Sequence, residues 1–437
     1  MTYRNSWPDI QGWIGKSRQI FIKKLARNDC KWADGAQNGH QNGLYIPREI
    51  REAGFFPPLE NTNPHKPHIV DARFATFWPS TAERKESSLK HYKNKGSEMH
   101  FTRVPRSEFT DLTPASWLLG GLIEPPIGAA HYWFMTIDSD STEAELLESM
   151  FALDSGFHFG LFDPRALPNG PLDEAGRLVK ELSRALREGT LNQFIMRASI
   201  MPSSTEFAAL AQEAWLVENH EQTIDPWLVH NPGDVIMRIS RDIEYALYKR
   251  AEKRFRAAQV LQTLSLHHDL SAAVVRGFPD LAATFMSAAQ TRRSRAGKSF
   301  ENHVARVFED GHIRYEEQAI LDKRRPDFVL PSAAALSPKA RNREDAIIVS
   351  LKTTLRERWK QVSLERFKGA VFLATVDDRI TSSAITDMAS QDIHLVVPES
   401  LKESRETSYA KQPNVITFRE FFDEEIARKR PKIRRPS

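Results

Sequence analysis

Two short apolar runs decide the fold: Arg-Pro-Asp-Phe-Val-Leu at residues 325–330 and Ala-Ile-Ile-Val-Ser-Leu-Lys at residues 346–352. Both are rich in β-branched and aromatic residues and lie between turn-prone segments, which is typical of short buried strands. Side chains alternate between the two faces of a strand, so Ser350 and Lys352 share one face of the second run. We therefore predict neighbouring strands that bring Lys352 next to Asp327.

The residue types in these runs suit the hydrolysis of a phosphodiester. Carboxylates are preferred ligands of Mg²⁺, which polarises a phosphate and lowers the pKa of a bound water. Asp327 and Glu365 are the predicted metal ligands, and Lys352 is predicted to orient or deprotonate the attacking water. An ordinary ion pair at a sheet edge is the competing interpretation, which the Asp–Lys spacing alone favours.

A second acid fits the same site. Residues 298–308 carry apolar side chains at the spacing of one helix face, and Glu301 lies at the edge of that face. Glu301 is therefore predicted to look toward the strands and to bind or shape the metal site. A solvated helix glutamate is the alternative.

A charged run follows the lysine. Arg356, Glu357 and Arg358 come four to six residues after it. Arginine pairs bidentately with guanine O6 and N7, and glutamate accepts from cytosine N4, so the run suits a series of G·C pairs. A solvated helix face is the bland alternative. Trp359, the next residue, is predicted to pack in the core.

Several segments of the chain resemble the EcoRII family of type II (type IIE) restriction endonucleases, within the PD-(D/E)xK nuclease superfamily. The spacing from Lys352 to Glu365 is also that of the family's metal site. The resemblance spans nearly the whole chain and is carried by residues 39–47, 292–299 (before the first helix of the nuclease core), 325–328, 351–354, 358–359 and 395–401.

The resemblance implies an α/β nuclease core, with a central mixed sheet flanked by helices, plus an N-terminal mainly-β DNA-binding pseudobarrel. It assigns catalysis and metal binding to Asp327, Lys352 and Glu365, with Glu301 as a helper acid and Mg²⁺ as the cofactor. It assigns the reading of outer C·G pairs to the charged run at 356–358. Cleavage is expected before the first cytosine, leaving 5′ overhangs, while the central base pairs do not follow from these residues.

The N-terminal part has its own DNA-binding signals. His40 and Tyr45 match positions that face DNA in the family, where this part binds a second copy of the target as an effector. An arm at residues 90–103 interleaves basic, aromatic and amide side chains, which can grip phosphates and reach base edges. A solvated basic hairpin is the alternative, and the chain departs from EcoRII itself at Met99-His100, where EcoRII has two basic residues. The candidate DNA-binding residues of the arm are Lys93, Lys95, Glu98 and Arg103.

The chain is predicted to hold two domains and a linker. Three prolines and a glycine between 164 and 171 indicate a loop, and helices are expected at 205–217 and 235–262. Residues 239–246 resemble the family's dimer-forming helix, which implies a homodimer. The predicted parts are an effector-binding, cleavage-restraining domain at 1–164, a linker at 165–202, and an endonuclease domain at 203–437.

Composition agrees with this organisation. The chain has 437 residues, 41% of them hydrophobic, and a net charge of only +4, so attraction to DNA must come from local patches. The lone Cys30 excludes an internal disulfide and fits a reducing cytoplasm. No segment approaches the apolar length of a membrane span, and the N-terminus lacks the apolar core of a signal peptide. The basic tail at 428–436 is interpreted as a solvated end.

Two functional hypotheses remain at this point. The first is a Mg²⁺-dependent homodimeric endonuclease acting on double-stranded DNA, accompanied in its restriction-modification system by a DNA methyltransferase. The second is a DNA-binding regulator, or a catalytically weak relative, on the same fold. The intact acids and lysine at 327, 352 and 365 favour the endonuclease, because a binding module has no need for a costly charge cluster. Nucleotide hydrolysis is not supported, since residues 297–299 lack the first glycine of a phosphate loop.

Overall fold

The structure is a computed structural model, and it divides into two compact units. The first contains Met1–Pro171 with the short segments Asp378–Thr381 and Ser404–Ser408; the second contains Leu172–Asp377, Ser382–Glu403 and Tyr409–Ser437. The residues that the structure describes are 6–30, 32–33, 43–61, 64–95, 99–124, 131–151, 153, 156–165, 174–266, 269–320, 325–336, 345–355, 359 and 370–434.

The first unit is mainly β. Its strands are Gln19–Lys24 (β1), Leu44–Ile46 (β2), Ile69–Trp78 (β3), Glu83–Tyr92 (β4), Met99–Thr102 (β5), Trp117–Ile123 (β6), His131–Ile137 (β7) and Phe159–Phe162 (β8). Its α-helices are Trp7–Lys16 (α1), Arg27–Cys30 (α2), Arg48–Glu52 (α3) and Thr142–Phe151 (α4), with 3₁₀ turns at Lys93–Lys95 and Arg106–Glu108.

These strands form one mixed sheet in the order β2-β5-β4-β3-β7-β6-β1-β8. The β3–β7 pair is parallel and the other pairs are antiparallel. Alternating side chains bury both faces: Phe134 joins one apolar cluster, while its neighbours Trp133 and Met135 join another. Gly121 lies against the indole of Trp133, where a β-carbon would collide with the ring. The sheet therefore carries a core on each side.

The second unit combines helices with a smaller sheet. Its α-helices are Glu174–Arg187 (α5), Leu191–Ala198 (α6), Ser204–Asn219 (α7), Pro232–Met237 (α8), Glu244–Ser265 (α9), Leu270–Arg276 (α10), Phe278–Asp310 (α11), Ser382–Ser390 (α12), Glu399–Glu403 (α13) and Phe418–Glu420 (α14). Wider π-helical turns run through Arg238–Ile243 and Phe421–Arg428, and 3₁₀ turns occur at Ala333–Leu336 and Pro431–Ile433. Its strands are Glu316–Glu317 (β9), Phe328–Leu330 (β10), Ile347–Leu351 (β11), Ala370–Ala374 (β12), Ile393–Val397 (β13) and Val415–Thr417 (β14).

The sheet of the second unit is mixed, in the order β14-β13-β12-β11-β10-β9. Strands β9, β10 and β11 pair antiparallel, and β11 to β14 pair parallel. Strands β10 and β11 are buried along their whole length, as their continuous apolar runs predict. This is the predicted α/β core, with a central mixed sheet and flanking helices.

Two stretches differ from the sequence interpretation. The segment 165–202, predicted as a linker, contains α5 and α6, and Phe194 of α6 packs with Ala258 of α9 in an apolar cluster. The arginine-rich residues 292–299 lie inside α11 rather than before it. Gly297 does not interrupt this helix, since a single glycine costs only about 1 kcal/mol among strong helix formers. Within the described ranges, no helix has the length and apolarity to cross a membrane.

Candidate active site

Asp327 and Lys352 meet at one end of the paired strands β10 and β11. The register sets Phe328 opposite Val349, so Asp327 lies next to the end of β11. Lys352 Nζ is 3.2 Å from Asp327 Oδ2, and the backbone N–H of Leu351 donates to the same oxygen at 2.6 Å. The structure thus brings together the two residues whose pairing the strand pattern predicts.

This ion pair is largely shielded from water. Asp327 is 9% exposed, and the side chain of Lys352 is 25% exposed. Lys352 Nζ also donates to the carbonyl oxygen of Leu351 at 2.8 Å. Charge-assisted hydrogen bonds of this kind fix both side chains and offset part of the cost of removing them from solvent. The structure therefore fixes the Lys352 ammonium and the Asp327 carboxylate at the edge of the sheet.

Glu301 supplies a second carboxylate from α11. Phe300, Val304 and Phe308 anchor this part of the helix in the core, and the Glu301 side chain is 19% exposed. Lys298 Nζ lies 2.9 Å from Glu301 Oε2, and this hydrogen bond is the main reason that the pKa of Lys298 is raised. The predicted position of Glu301, at the edge of the apolar face, agrees with the structure.

A buried polar cluster fixes α11 behind Glu301. His303 Nε2 lies 2.7 Å from Glu244 Oε2, and both side chains are almost fully buried. The hydroxyl of Ser299 donates to the same glutamate oxygen, and Gln212 lies 3.1 Å from His303 Nδ1. These contacts join α7, α9 and α11, so they set the angle at which the acid-bearing helix meets the sheet.

One further side chain stands between the two acids. Gln318 Nε2 lies 3.4 Å from Glu301 Oε2 and 3.4 Å from Asp327 Oδ1. Sequence reasoning did not single out Gln318, because an isolated glutamine after a two-residue strand belongs to no motif. Glu317 of β9 pairs with Phe328 of β10, and this register places Gln318 next to Asp327.

The donor chemistry fits a hard divalent cation. Carboxylate oxygens of Asp327 and Glu301 converge on the same amide, and Mg²⁺ is commonly held by one or two carboxylates while it keeps several waters. In the part of the chain that the structure describes, no group of three or more His, Cys, Asp or Glu side chains forms a metal site. Glu365, the third predicted ligand, lies outside the described residues.

Other predicted residues also lie outside the described ranges. Trp359, which follows the charged run, is described and is 7% exposed, so its predicted core packing is confirmed. The candidate DNA-contacting residues outside the described ranges are His40, Glu98, Arg356, Glu357 and Arg358.

One N-terminal candidate, Tyr45, lies in a cross-strand row of the first unit's sheet with two arm residues that the sequence analysis did not single out, His100 and Lys90. Tyr45 pairs with His100 across β2 and β5, and His100 pairs with Lys90 across β5 and β4. Directly opposed residues in a sheet point to the same face, so these three side chains form a row. Tyr45 is 38% exposed between two buried neighbours. The row combines aromatic, imidazole and ammonium groups on an accessible surface.

The two remaining arm residues with described surroundings are Lys93 and Arg103. Lys93 is exposed at the start of the 3₁₀ turn that also contains Lys95. The Arg103 guanidinium lies 3.2 Å from the carboxylate of Glu86, and both side chains are about half exposed. Exposed pairs of this kind contribute little to stability, so Arg103 can exchange its partner for a phosphate at small cost.

The chain is similar to one family model, to two type II restriction enzymes and to a solved structure. Residues 258–422 match the family model described as the EcoRII C terminal. The type II restriction enzyme EcoRII of Escherichia coli is 27% identical over 402 residues, covering 87% of this chain and 88% of that protein. The type II restriction enzyme SsoII of Shigella sonnei is 25% identical over 246 residues, covering 51% of this chain and 77% of that protein. Metal-depleted Ecl18kI in complex with uncleaved, modified DNA has a TM-score of 0.46 at 21% identity, covering 57% of this chain and 87% of that one.

The family match and the two relatives, taken with the site geometry, define the class of this protein: it is a type II restriction endonuclease, a site-specific hydrolase of DNA. Within that class the chain is similar to the EcoRII family, whose C-terminal model matches residues 258–422. The resemblance that the sequence motifs indicated is thereby confirmed.

Proposed function

We propose that this enzyme makes Mg²⁺-dependent double-strand cuts at a short, near-palindromic DNA site with outer C·G pairs. The observation that carries the proposal is the Asp327–Lys352 pair at the end of β11, with Glu301 reached through the shared amide of Gln318. A carboxylate and an ammonium held 3.2 Å apart at a sheet edge, beside a second acid, suit phosphodiester hydrolysis.

The proposed roles follow from the contacts of each side chain. Bound Mg²⁺ supplies a polarised phosphate and a water of lowered pKa, and Asp327, Glu301 and Glu365 would hold it. Lys352 has three N–H donors, and two of them face Asp327 Oδ2 and the Leu351 carbonyl. The third can donate to the attacking water or to a phosphoryl oxygen, where negative charge develops.

Target reading is proposed for the charged run after the catalytic strand. Arg356 and Arg358 would pair with guanines, and Glu357 would accept from a cytosine amine. The buried Trp359 supports this proposal, because it directly follows the run in sequence and lies in the core. Cutting is proposed before the first cytosine, which leaves 5′ overhangs.

An effector function is proposed for the N-terminal domain, a pseudobarrel at residues 1–164. The proposed linker comprises residues 165–202, and the proposed endonuclease domain comprises residues 203–437. The N-terminal domain would bind a second copy of the target and restrain cleavage until that copy is bound. The row of Tyr45, His100 and Lys90 supports this proposal, as does the match to EcoRII over most of both chains. The proposed DNA contacts are His40, Tyr45, Lys93, Lys95, Glu98 and Arg103.

Assembly into a homodimer is also proposed, with each subunit cutting one strand of a symmetric site. Around α10 the second unit exposes several large apolar side chains within a short stretch, as a subunit interface would. A cognate DNA methyltransferase and a cytoplasmic location complete the proposal, since an endonuclease of this kind needs its own genome protected. The exposed apolar residues are Leu266, Leu270, Val274, Val275 and Phe278.

Digestion of methylation-free phage DNA with Mg²⁺ tests the central proposal. The intact protein is expected to give discrete fragments, and Lys352→Ala is expected to give none; run-off sequencing of the fragments then reports the target and the position of the cut. If the intact protein binds specific DNA but never cuts it, the regulator hypothesis replaces the endonuclease.

A substrate with a single site tests the effector function separately. Adding a short duplex that carries the mapped target is expected to accelerate cleavage of a one-site plasmid, because the duplex supplies the second copy. A scrambled duplex of equal length is the control. Equal rates with the two duplexes would contradict an effector site.

A further inference from the structure

Gln318 has a backbone conformation that glutamine rarely adopts. Its φ angle is +50°, in the left-handed region where a β-carbon is crowded and where glycine, asparagine and aspartate are the usual residues. Strain of this kind persists where the surroundings impose it, and it is frequent at ligand-binding and catalytic sites. Contacts of the glutamine side chain would account for its presence at this left-handed position.

The surroundings tie the Gln318 backbone directly to the active site. Its N–H donates to the carbonyl oxygen of Asp327 at 3.0 Å. Its own carbonyl accepts from Nε of Arg325, two residues before Asp327, at 3.1 Å. These contacts hold Gln318 beside Asp327 and aim its side chain along the edge of the sheet toward α11.

The side chain then reaches both acids at once. A single NH₂ group lies 3.4 Å from Oε2 of Glu301 and 3.4 Å from Oδ1 of Asp327, which are long contacts, as expected when one donor group is shared. The other carboxylate oxygen of Asp327 is occupied by Leu351 N–H and Lys352. Gln318 therefore contacts the Asp327 oxygen that is not bound by Leu351 N–H and Lys352.

We propose that Gln318 is a positioning residue that sets the spacing and orientation of the Glu301 and Asp327 carboxylates for a divalent cation. This inference rests on the proposed metal-dependent function of the same site. A neutral amide donor suits the task, because it reduces the repulsion between two carboxylates without adding a positive charge that would compete with the cation. Partners that orient metal-binding carboxylates typically contribute 10- to 100-fold to metal affinity.

The left-handed backbone makes the proposal distinguishable from a purely structural role. Replacing Gln318 with glycine or asparagine relieves the crowding, so the thermal midpoint is expected to stay the same or to rise. Glycine removes the bridging amide altogether, and asparagine is one methylene too short to span both acids. A residue that served only the fold would show the opposite pattern, with stability lost and the site unaffected.

The test is Mn²⁺ binding to the whole protein, measured from the loss of the free-ion electron paramagnetic resonance signal, together with the thermal midpoint and the cleavage rate. Gln318→Gly and Gln318→Asn are expected to weaken Mn²⁺ binding about 10- to 100-fold without lowering the midpoint. Lys411→Gly is the matched control, because Lys411 is exposed and also left-handed at φ +63°. It is expected to bind Mn²⁺ like the wild type.

Wild-type Mn²⁺ affinity in both Gln318 variants would overturn the inference, as would a loss of affinity that only accompanies a lower thermal midpoint. Asp327→Asn tests the underlying site. If Asp327→Asn binds Mn²⁺ like the wild type, or the wild type binds none, the proposed metal site itself fails, which is a different result from normal binding by the Gln318 variants alone.

Discussion

Replacing His303 with alanine is expected to lower the opening free energy of the C-terminal unit by about 3–5 kcal/mol. The ring lies 2.7 Å from Oε2 of Glu244, and the two side chains are 1% and 0% exposed. Alanine would remove the imidazole contact of a carboxylate that stays buried and still accepts from the hydroxyl of Ser299. Gln212 would lose its contact with the ring and keep its 3.3 Å hydrogen bond to the carbonyl oxygen of Asn302.

Hydrogen exchange of peptides from α11, followed by mass spectrometry, measures this effect separately from the N-terminal unit. At about 1.4 kcal/mol for each factor of ten, the expected loss accelerates exchange of the slowest amides by roughly 10²- to 4 × 10³-fold. A matched double variant, Glu244→Met with His303→Leu, removes both polar groups and fills similar volume. It is expected to recover most of the loss, since no charge is then left buried without a partner.

A double-mutant cycle of the wild type, Glu244→Met, His303→Leu and the double variant gives the decisive number. A coupling energy of about 2 kcal/mol or more between positions 244 and 303 supports the account. A loss below about 1 kcal/mol in His303→Ala, or strictly additive single variants, would refute the reasoning that this cluster holds α11 in place.

Three further predictions concern other parts of the molecule. Gly121→Ala is expected to cost about 1–3 kcal/mol by forcing a methyl group into the facing indole, whereas Gly12→Ala in α1, where a methyl meets no atom within 4 Å, should stabilise by about 0.5–1 kcal/mol; thermal unfolding of the two variants measures the contrast. The hydrogen bond from Arg254 lowers the pKa of Glu181 from 4.5, so this pair contributes above pH 4.5 and loses its contribution as the pH falls through the lowered pKa. Both side chains are about 40% exposed, so Glu181→Gln is expected to cost at most about 1 kcal/mol at pH 7 and nothing near pH 2, as urea titrations at the two pH values would show. Lys93→Ala is expected to weaken effector binding uniformly across sequences and to reduce the slope of log affinity against log salt by about 1, measured by fluorescence anisotropy; an unchanged slope would remove Lys93 from the DNA contacts.

The strands that carry the site could be predicted from the sequence because their signal is local. The runs at 328–330 and 347–351, rich in β-branched and aromatic residues, have few alternatives to a buried strand, and apolar spacing identifies the helix that carries Glu301. The meeting of Asp327 with Lys352 follows from pairing those two strands. This part of the site was predictable because each step depends on residues close in sequence.

Other features depend on contacts that leave no local signal. Gln318 acquires its position from a two-residue strand and a left-handed turn, neither of which has a pattern in the sequence. The helix α6 leaves no strong local pattern, although it buries Phe194 against α9. Glu244 and His303 are 59 residues apart in sequence, and spacing alone does not reveal that they pair between α9 and α11.

Single-turnover cleavage of a duplex carrying the mapped target tests the central claim most directly, with the wild type, Lys352→Met and the exposed control Lys432→Met compared at saturating protein and Mg²⁺. Lys352→Met keeps most of the length of the unbranched side chain and removes its charge, while Asp327 retains the Leu351 N–H. The account predicts a cleavage rate about 10²- to 10⁴-fold below the wild type, with DNA affinity within about tenfold and the control unchanged. Cleavage by Lys352→Met at a rate close to that of the wild type would contradict the assignment of this site as the catalytic centre.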